Sequence, residues 1–142
     1  MSYQIKRAEK ISDVLELCDE GGNVVSRLNI TVDIDAIAAE LRKRLTNVQT
    51  AEKLLKRAAS EQDYAEAYGL FGQTVTDIFC VCFGQENAEK ITEHFGGDFI
   101  EMSVAVVPYI YEVILPRVNE ALLRRKEQLK AVYGKRRGLK LR

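Results

Sequence analysis

Hydrophobic and polar residues alternate one by one early in the chain. Within 24–32, Val24, Ser26, Leu28, Ile30 and Val32 fall to one side, and Val25, Arg27, Asn29 and Thr31 to the other. That period of two is the mark of a strand with one buried face and one wet face. A second run begins at Val14, and between the two lies Asp19-Glu20-Gly21-Gly22-Asn23, whose residues tolerate the positive φ of a tight turn. The pattern predicts an antiparallel hairpin over about residues 14–32.

After Asp33 the period changes to that of a helix. Ile34, Ile37, Leu41, Leu45, Val48 and Leu55 make one stripe, while Arg42, Lys43, Lys53 and Lys56 lie off it. A helix of about 25 residues follows, capped by Thr31 or Asp33. Ser60-Glu61-Gln62-Asp63 resembles a capping box with Asp in its last place, and opens a second helix carrying Tyr64, Tyr68, Phe71, Val75, Ile78 and Cys82. Gly84 stops it, because a helix end favours a residue that accepts positive φ. A short third helix places Ala88, Ile91 and Phe95 on one face and ends at Gly96-Gly97, and Asp98 caps a fourth. That last helical region runs from Phe99 toward Tyr133. Pro108 and Pro116 each remove a backbone donor and crowd the carbonyl four residues earlier, so it should be kinked or broken there.

The expected architecture is α+β and predominantly helical: an N-terminal β-hairpin followed by a bundle of four to five helices. Residues 1–133 form one domain, with the bundle over about 34–133, and 134–142 is a basic tail expected to be disordered in isolation. At 142 residues, 46% hydrophobic and 30% charged, the chain can enclose one core without disulfides or metal.

Charge changes this picture in one respect. The formal net charge is zero, but residues 117–142 hold 10 basic and 2 acidic residues, net +8, and residues 1–116 carry the compensating −8. An acidic body with a basic end suits an assembly component at least as well as a nucleic-acid binder. The apolar run over 99–115 is 17 residues and contains Glu101, Pro108 and Glu112, short of the roughly 20 apolar residues of a membrane span. It reads as a buried helix. The three cysteines have no framework spacing and MSYQIKRAEK has no apolar signal region, which points to the cytoplasm.

Chemical readings of individual residues are outweighed by structural ones. Cys80 and Cys82 are two apart, so on a helix they diverge by about 200°, and no second pair completes a zinc site. They are expected to be buried structural thiols. His94, the only histidine, ends the third helix, where it complements the helix dipole, and no motif supplies it with a nucleophile. The glycines at 84, 96 and 97 match neither a dinucleotide fingerprint nor a Walker loop, and DEGGN is not a calcium loop. No catalytic residue, metal or cofactor is expected.

More informative is the surplus of apolar surface in VAVVPYIYEVILP, residues 104–116, where nearly every helical face is apolar. Such a helix is either central in the bundle or meets another chain. The order of hairpin, long helix, second helix, FGQENAEKITEHFGGDF and the proline-interrupted VVPYIYEVILPRV resembles the small tail assembly chaperones of long-tailed bacteriophages and prophages of Gram-positive bacteria. The similarity rests on residues 83–91, on the glycines and aromatic residues that follow, and on the apolar helix and charged C-terminal end, roughly the second half of the chain.

That resemblance implies a non-enzymatic protein that coats the long, helical tape measure protein until tail tube protein polymerises around it. It also implies a longer product made by ribosomal frameshifting. A chaperone for helices needs an apolar groove with anchors at i, i+3, i+4 and i+7. Tyr109, Ile110, Tyr111, Val113 and Ile114 are expected to line it, and Lys135, Arg136, Arg137, Lys140 and Arg142 to steer an acidic partner. Self-association is a further expectation. The rival reading is a small helical nucleic-acid-binding or regulatory protein using the basic tail, which would bind in a steeply salt-dependent way. It ranks second because Tyr133 is the only aromatic residue near the tail.

Overall fold

The computed structural model describes residues 1–7 and 10–134. Strands β1 (Ile11–Cys18) and β2 (Val24–Val32) pair antiparallel as a hairpin. The turn between them is organised by Asp19. Its Oδ1 accepts from the amides of Gly21 and Asn23, both at 2.9 Å, and Gly22 takes φ 84°, a conformation that favours glycine. These bonds, that from the Asn23 amide foremost, hold the Asp19 carboxyl below its usual range.

Leu28, Ile30 and Val32 bury their side chains on the predicted face. Two details depart from the alternation. β1 begins at Ile11, three residues before the expected start. Near the turn Cys18 pairs with Val24 whereas Leu17 pairs with Ser26, so Val25 is the extra residue of a bulge. Val24 is thereby turned outward and left 41% exposed.

Helix α1 (Ile34–Arg57) is capped by Asp33, whose carboxylate accepts from the Asp35 and Ala36 amides. Helix α2 (Glu61–Phe83) is capped by Ser60, whose Oγ accepts from the Asp63 amide at 3.0 Å. Gly84, at φ 85°, separates α2 from α3 (Gln85–His94), and Gly96 and Gly97 also take positive φ. Asp98 caps α4 (Phe99–Tyr109) by accepting from the Glu101 amide at 3.0 Å.

From α4 the chain stays helical but changes pitch. Residues Ile110–Ile114 form a π-helical turn in which the Leu115 amide reaches back five residues to the Ile110 carbonyl. Helix α5 (Leu115–Leu129) follows, then a second π turn over Lys130–Gly134. The first π turn lies between Pro108 and Pro116, where a regular α-helix cannot complete its ladder. It also solves a phase problem. Met102, Val106, Ile110, Ile114 and Val118 are each four apart, and in an α-helix that stripe drifts by roughly 40° per step. The wider π turn slows the drift, and all five stay in the core.

Phe99–Gly134 is therefore one kinked helix, and this corrects the membrane-length argument. The helix continues beyond Leu115, and its apolar 18-residue window has mean hydropathy 1.5. By length and composition it is long enough to cross a membrane. Only 22% of that window is buried, so the expectation of a buried helix holds for one face alone.

The core lies between the inner face of the hairpin, α1, α2, α3 and the inner stripe of α4 and α5, with Phe79, Ile78, Val75, Leu41 and Ile91 fully enclosed. Distant elements are pinned by single polar contacts. Asn87 Nδ2 donates to the Asn29 carbonyl at 3.1 Å, and Arg42 Nη2 to Asn119 Oδ1 at 2.8 Å. Arg125 pairs with Asp35 in the first turn of α1 at 2.5 Å. The basic tail, including Lys135, Arg136, Arg137, Lys140 and Arg142, lies outside the described residues.

Candidate functional site

The outer face of α4 turns away from Met102: Ile100 and Val104 are exposed there, while Val107 and, one turn on, Tyr111 rest half-buried against the core. Ile100, Val104, Val107 and Tyr111 follow one another at spacings of four, three and four, a stripe on the side away from Met102 and Val106. Across from it stand Val48, Glu52, Leu55 and Lys56 of α1 and Tyr64 and Phe71 of α2, enclosing an open groove of about 640 Å³. Val104 is 72% exposed at its edge.

Two polar features shape the walls. Tyr111 accepts at its hydroxyl from Gln49 Nε2 at 2.7 Å, which ties the π turn after α4 to α1 across the groove floor. Tyr64 stacks on Tyr68 at 6.2 Å, and Tyr68 leans on the Phe99 ring at 5.8 Å while its hydroxyl accepts from the Phe99 amide at 3.1 Å. An apolar trough with few polar anchors suits an apolar helix face or an extended apolar chain.

The five residues predicted to line a groove are divided by the structure. Tyr111 is in it. Ile110 and Ile114 have no exposed surface and belong to the core, which corrects that expectation: on a continuous helix they lie on the side opposite Val104. Val113 is half-buried and outside the groove wall. Tyr109 points to the hairpin, where its hydroxyl donates to Asp13 Oδ2 at 2.7 Å and its ring packs on Phe83 at 6.2 Å. Burial first, and then the bond to Asp13, pushes the Tyr109 phenol well above its usual range. The same bond, aided by the Val14 amide, holds the Asp13 carboxyl low.

The groove residues that sequence reasoning missed are Val48, Leu55, Tyr64, Phe71, Ile100, Val104 and Val107. A signal existed for part of the set, because Val104, Val107 and Tyr111 repeat at i, i+3 and i+7. Nothing in the sequence placed α1 and α2 opposite them.

A second cleft, of about 520 Å³, lies between the hairpin turn, the end of α3 and the first turn of α4. His94 borders it, and its Nε2 donates to the Cys18 carbonyl at 3.0 Å. The imidazole therefore also fastens α3 to the hairpin, an interaction that sequence spacing did not reveal. Among the described residues no polar or charged side chain is buried, and no group of three or more His, Cys, Asp or Glu is gathered as a ligand set.

Cys82 is buried and Cys80 half-buried, so the expectation of two buried thiols holds for the first only. Burial pushes the Cys82 thiol up to about 12. At pH 8 this leaves a thiolate fraction on the order of a thousandfold below that of a free thiol. A thiol reagent is expected to modify exposed Cys18 in the native protein and Cys82 only on unfolding, as mapped by mass spectrometry; equal rates would contradict the packing.

Protein-family models, curated proteins and solved structures yield no match to this chain.

Proposed function

We propose that the chain is a non-enzymatic assembly chaperone that holds an apolar client helix in the groove between α1, α2 and α4. The client implied by the sequence resemblance is the tape measure protein of a long-tailed phage, kept in solution in the host cytoplasm until tail tube protein encloses it. The observation that carries this reading is the stripe Ile100, Val104, Val107 and Tyr111, exposed at Ile100 and Val104 and half-buried at the other two, which lines an open apolar trough. Four apolar side chains over three turns match the anchor spacing of an amphipathic partner helix. Leaving such a face open to water is unfavourable, and large apolar openings of this kind mark interaction sites.

Co-expression with the tape measure protein tests the reading. The client is expected in the soluble fraction and in a recoverable complex with the wild-type chain. Val104→Glu, which puts a charge into the groove at an exposed position, is expected to weaken capture at least tenfold while the circular dichroism of the chaperone stays unchanged. A client equally soluble with and without the chain, and no complex, would refute the proposal.

A further inference from the structure

Residues 1–7 alternate as a strand does: Met1, Tyr3 and Ile5 fall to one side, and Ser2, Gln4 and Lys6 to the other. They pair with no strand, and Tyr3 is 91% and Ile5 90% exposed. An apolar stripe of period two left in water is unfavourable, and an open sheet edge is the partner that its backbone fits.

The hairpin offers such an edge. Its two strands form a sheet by themselves, so each has one side without a neighbour. Beside the turn the Asp19 amide bonds across to the Asn23 carbonyl. This phase sets the odd-numbered residues of β1 toward β2 and turns the backbone groups of Ser12, Val14, Glu16 and Cys18 outward. Side chains hold two of them: the Val14 amide donates to Asp13 Oδ1 at 2.9 Å, and the Cys18 carbonyl accepts from His94 Nε2 at 3.0 Å. Among the described residues Ser12 makes no bond outside the hairpin, and the Glu16 carbonyl meets only Cys18 Sγ, at 3.9 Å.

The core is also thinner on this side. Leu28, Ile30 and Val32 of β2 keep 2% or less of their surface, whereas Ile11 and Leu17 of β1 keep 8% and Leu15 is half-buried. The inner face of β1 lacks a neighbour beyond its outer edge.

We propose that residues 1–7 fold back along β1 as a third, antiparallel strand, a strap that closes the outer edge of the hairpin. A connection of three residues, 8–10, is among the common hairpin lengths, and it sets Ile5 opposite Asp13, Tyr3 opposite Leu15 and Met1 opposite Leu17. Residues directly opposite share a face, so all three apolar side chains join the core side and Ser2, Gln4 and Lys6 join the wet side. A connection of two or four residues inverts that set and puts the apolar side chains in water. In the matching register Gln4 and Lys6 exchange backbone bonds with Val14 and Ser12, and the Val14 amide trades Asp13 Oδ1 for the Gln4 carbonyl. Pairing cannot run past Leu17, because His94 already holds the next edge carbonyl. The closed strap shields the edge from strands of other chains.

Solution NMR on the full chain tests the strap. Cross-strand nuclear Overhauser contacts are expected between the α-protons of Ile5 and Asp13 and of Tyr3 and Leu15, the closely spaced pairs of this register. Amide exchange at Gln4 and Lys6 is expected to be at least about tenfold slower than in a random coil. Gln4→Pro removes a donor aimed at β1 and should return Lys6 to the random-coil rate, while exchange in the β1–β2 ladder and the helical circular dichroism stay unchanged.

Free exchange at Gln4 and Lys6 in the wild type, or a Gln4→Pro variant in which Lys6 stays protected, would overturn the proposal. So would contacts seen only between labelled and unlabelled chains in a mixed sample, which place the segment on a second copy. None of these outcomes touches the client reading, which is measured at the groove.

Discussion

Phe79→Ala is expected to cost about 3–5 kcal/mol, the largest loss from a single truncation in this chain. Phe79 has no exposed surface, stands between Ile78 and Cys82 on the buried side of α2, and packs against the Phe83 ring at 5.8 Å. Alanine removes the transfer energy of a benzyl group and leaves a cavity, because helix backbones on several sides hold the surrounding side chains apart. Domains of this size are stable by only about 5–15 kcal/mol. A loss of that order should lower the thermal midpoint by roughly 10–15 °C. Urea unfolding followed by circular dichroism measures it, with Phe79→Leu as the milder reference. A cost under about 1 kcal/mol for the alanine variant would mean that the core around α2 is not packed as described.

The second large effect is expected at Gly72, and it runs against helix propensity. Gly72 is buried in the interior of α2, where alanine would ordinarily stabilise by about 1 kcal/mol. Here a Cβ would stand 2.5 Å from Phe99 Cδ2 and 2.7 Å from Cε2. The Phe99 ring is not free to give way. It leans on Tyr68, its amide is bonded to the Tyr68 hydroxyl, and Asp98 caps the helix that begins at Phe99. Relieving the overlap by shifting the ring or α4 costs about 1–3 kcal/mol for one methyl group, which cancels or exceeds the propensity gain.

Gly72→Leu extends further into the same space and is expected to destabilise by about 3 kcal/mol or more, and to disturb the groove wall that begins at Ile100. Adding Phe99→Ala to Gly72→Leu should recover part of the loss, a coupling of at least about 1 kcal/mol in a double-mutant cycle. Additive costs would show that the ring is not what excludes a side chain at position 72.

Much of the fold was legible in the sequence because the deciding physics was local. The turn at Asp19 to Asn23, the caps at Asp33, Ser60 and Asp98, and the stops at Gly84 and Gly96-Gly97 depend on residues within a few positions of one another. The stripe Ile34, Ile37, Leu41, Leu45 and Val48 could be read because polar residues frame it. Where a determinant lay far along the chain, reading failed. Asp13 is polar and hid the start of β1; its hydroxyl partner Tyr109 is 96 residues away. His94 faces a carbonyl 76 residues earlier.

The candidate site was legible only as a surplus. VAVVPYIYEVILP contains more apolar surface than one helix face can hide, and from that alone a helix with an exposed apolar side follows. Which side is exposed does not, because an apolar residue on every face leaves no polar residue to mark the phase. The π turn over Ile110–Ile114 and the packing of α4 on α2 set that phase, placing Ile110 and Ile114 in the core and Val104, Val107 and Tyr111 along the groove. Composition and periodicity therefore determined by themselves the hairpin, the helices, their ends and the acidic-to-basic polarity of the chain. The tertiary structure alone decided which apolar residues became core and which became groove, since burial depends on what stands opposite, and α1 and α2 reach α4 only through the folded chain.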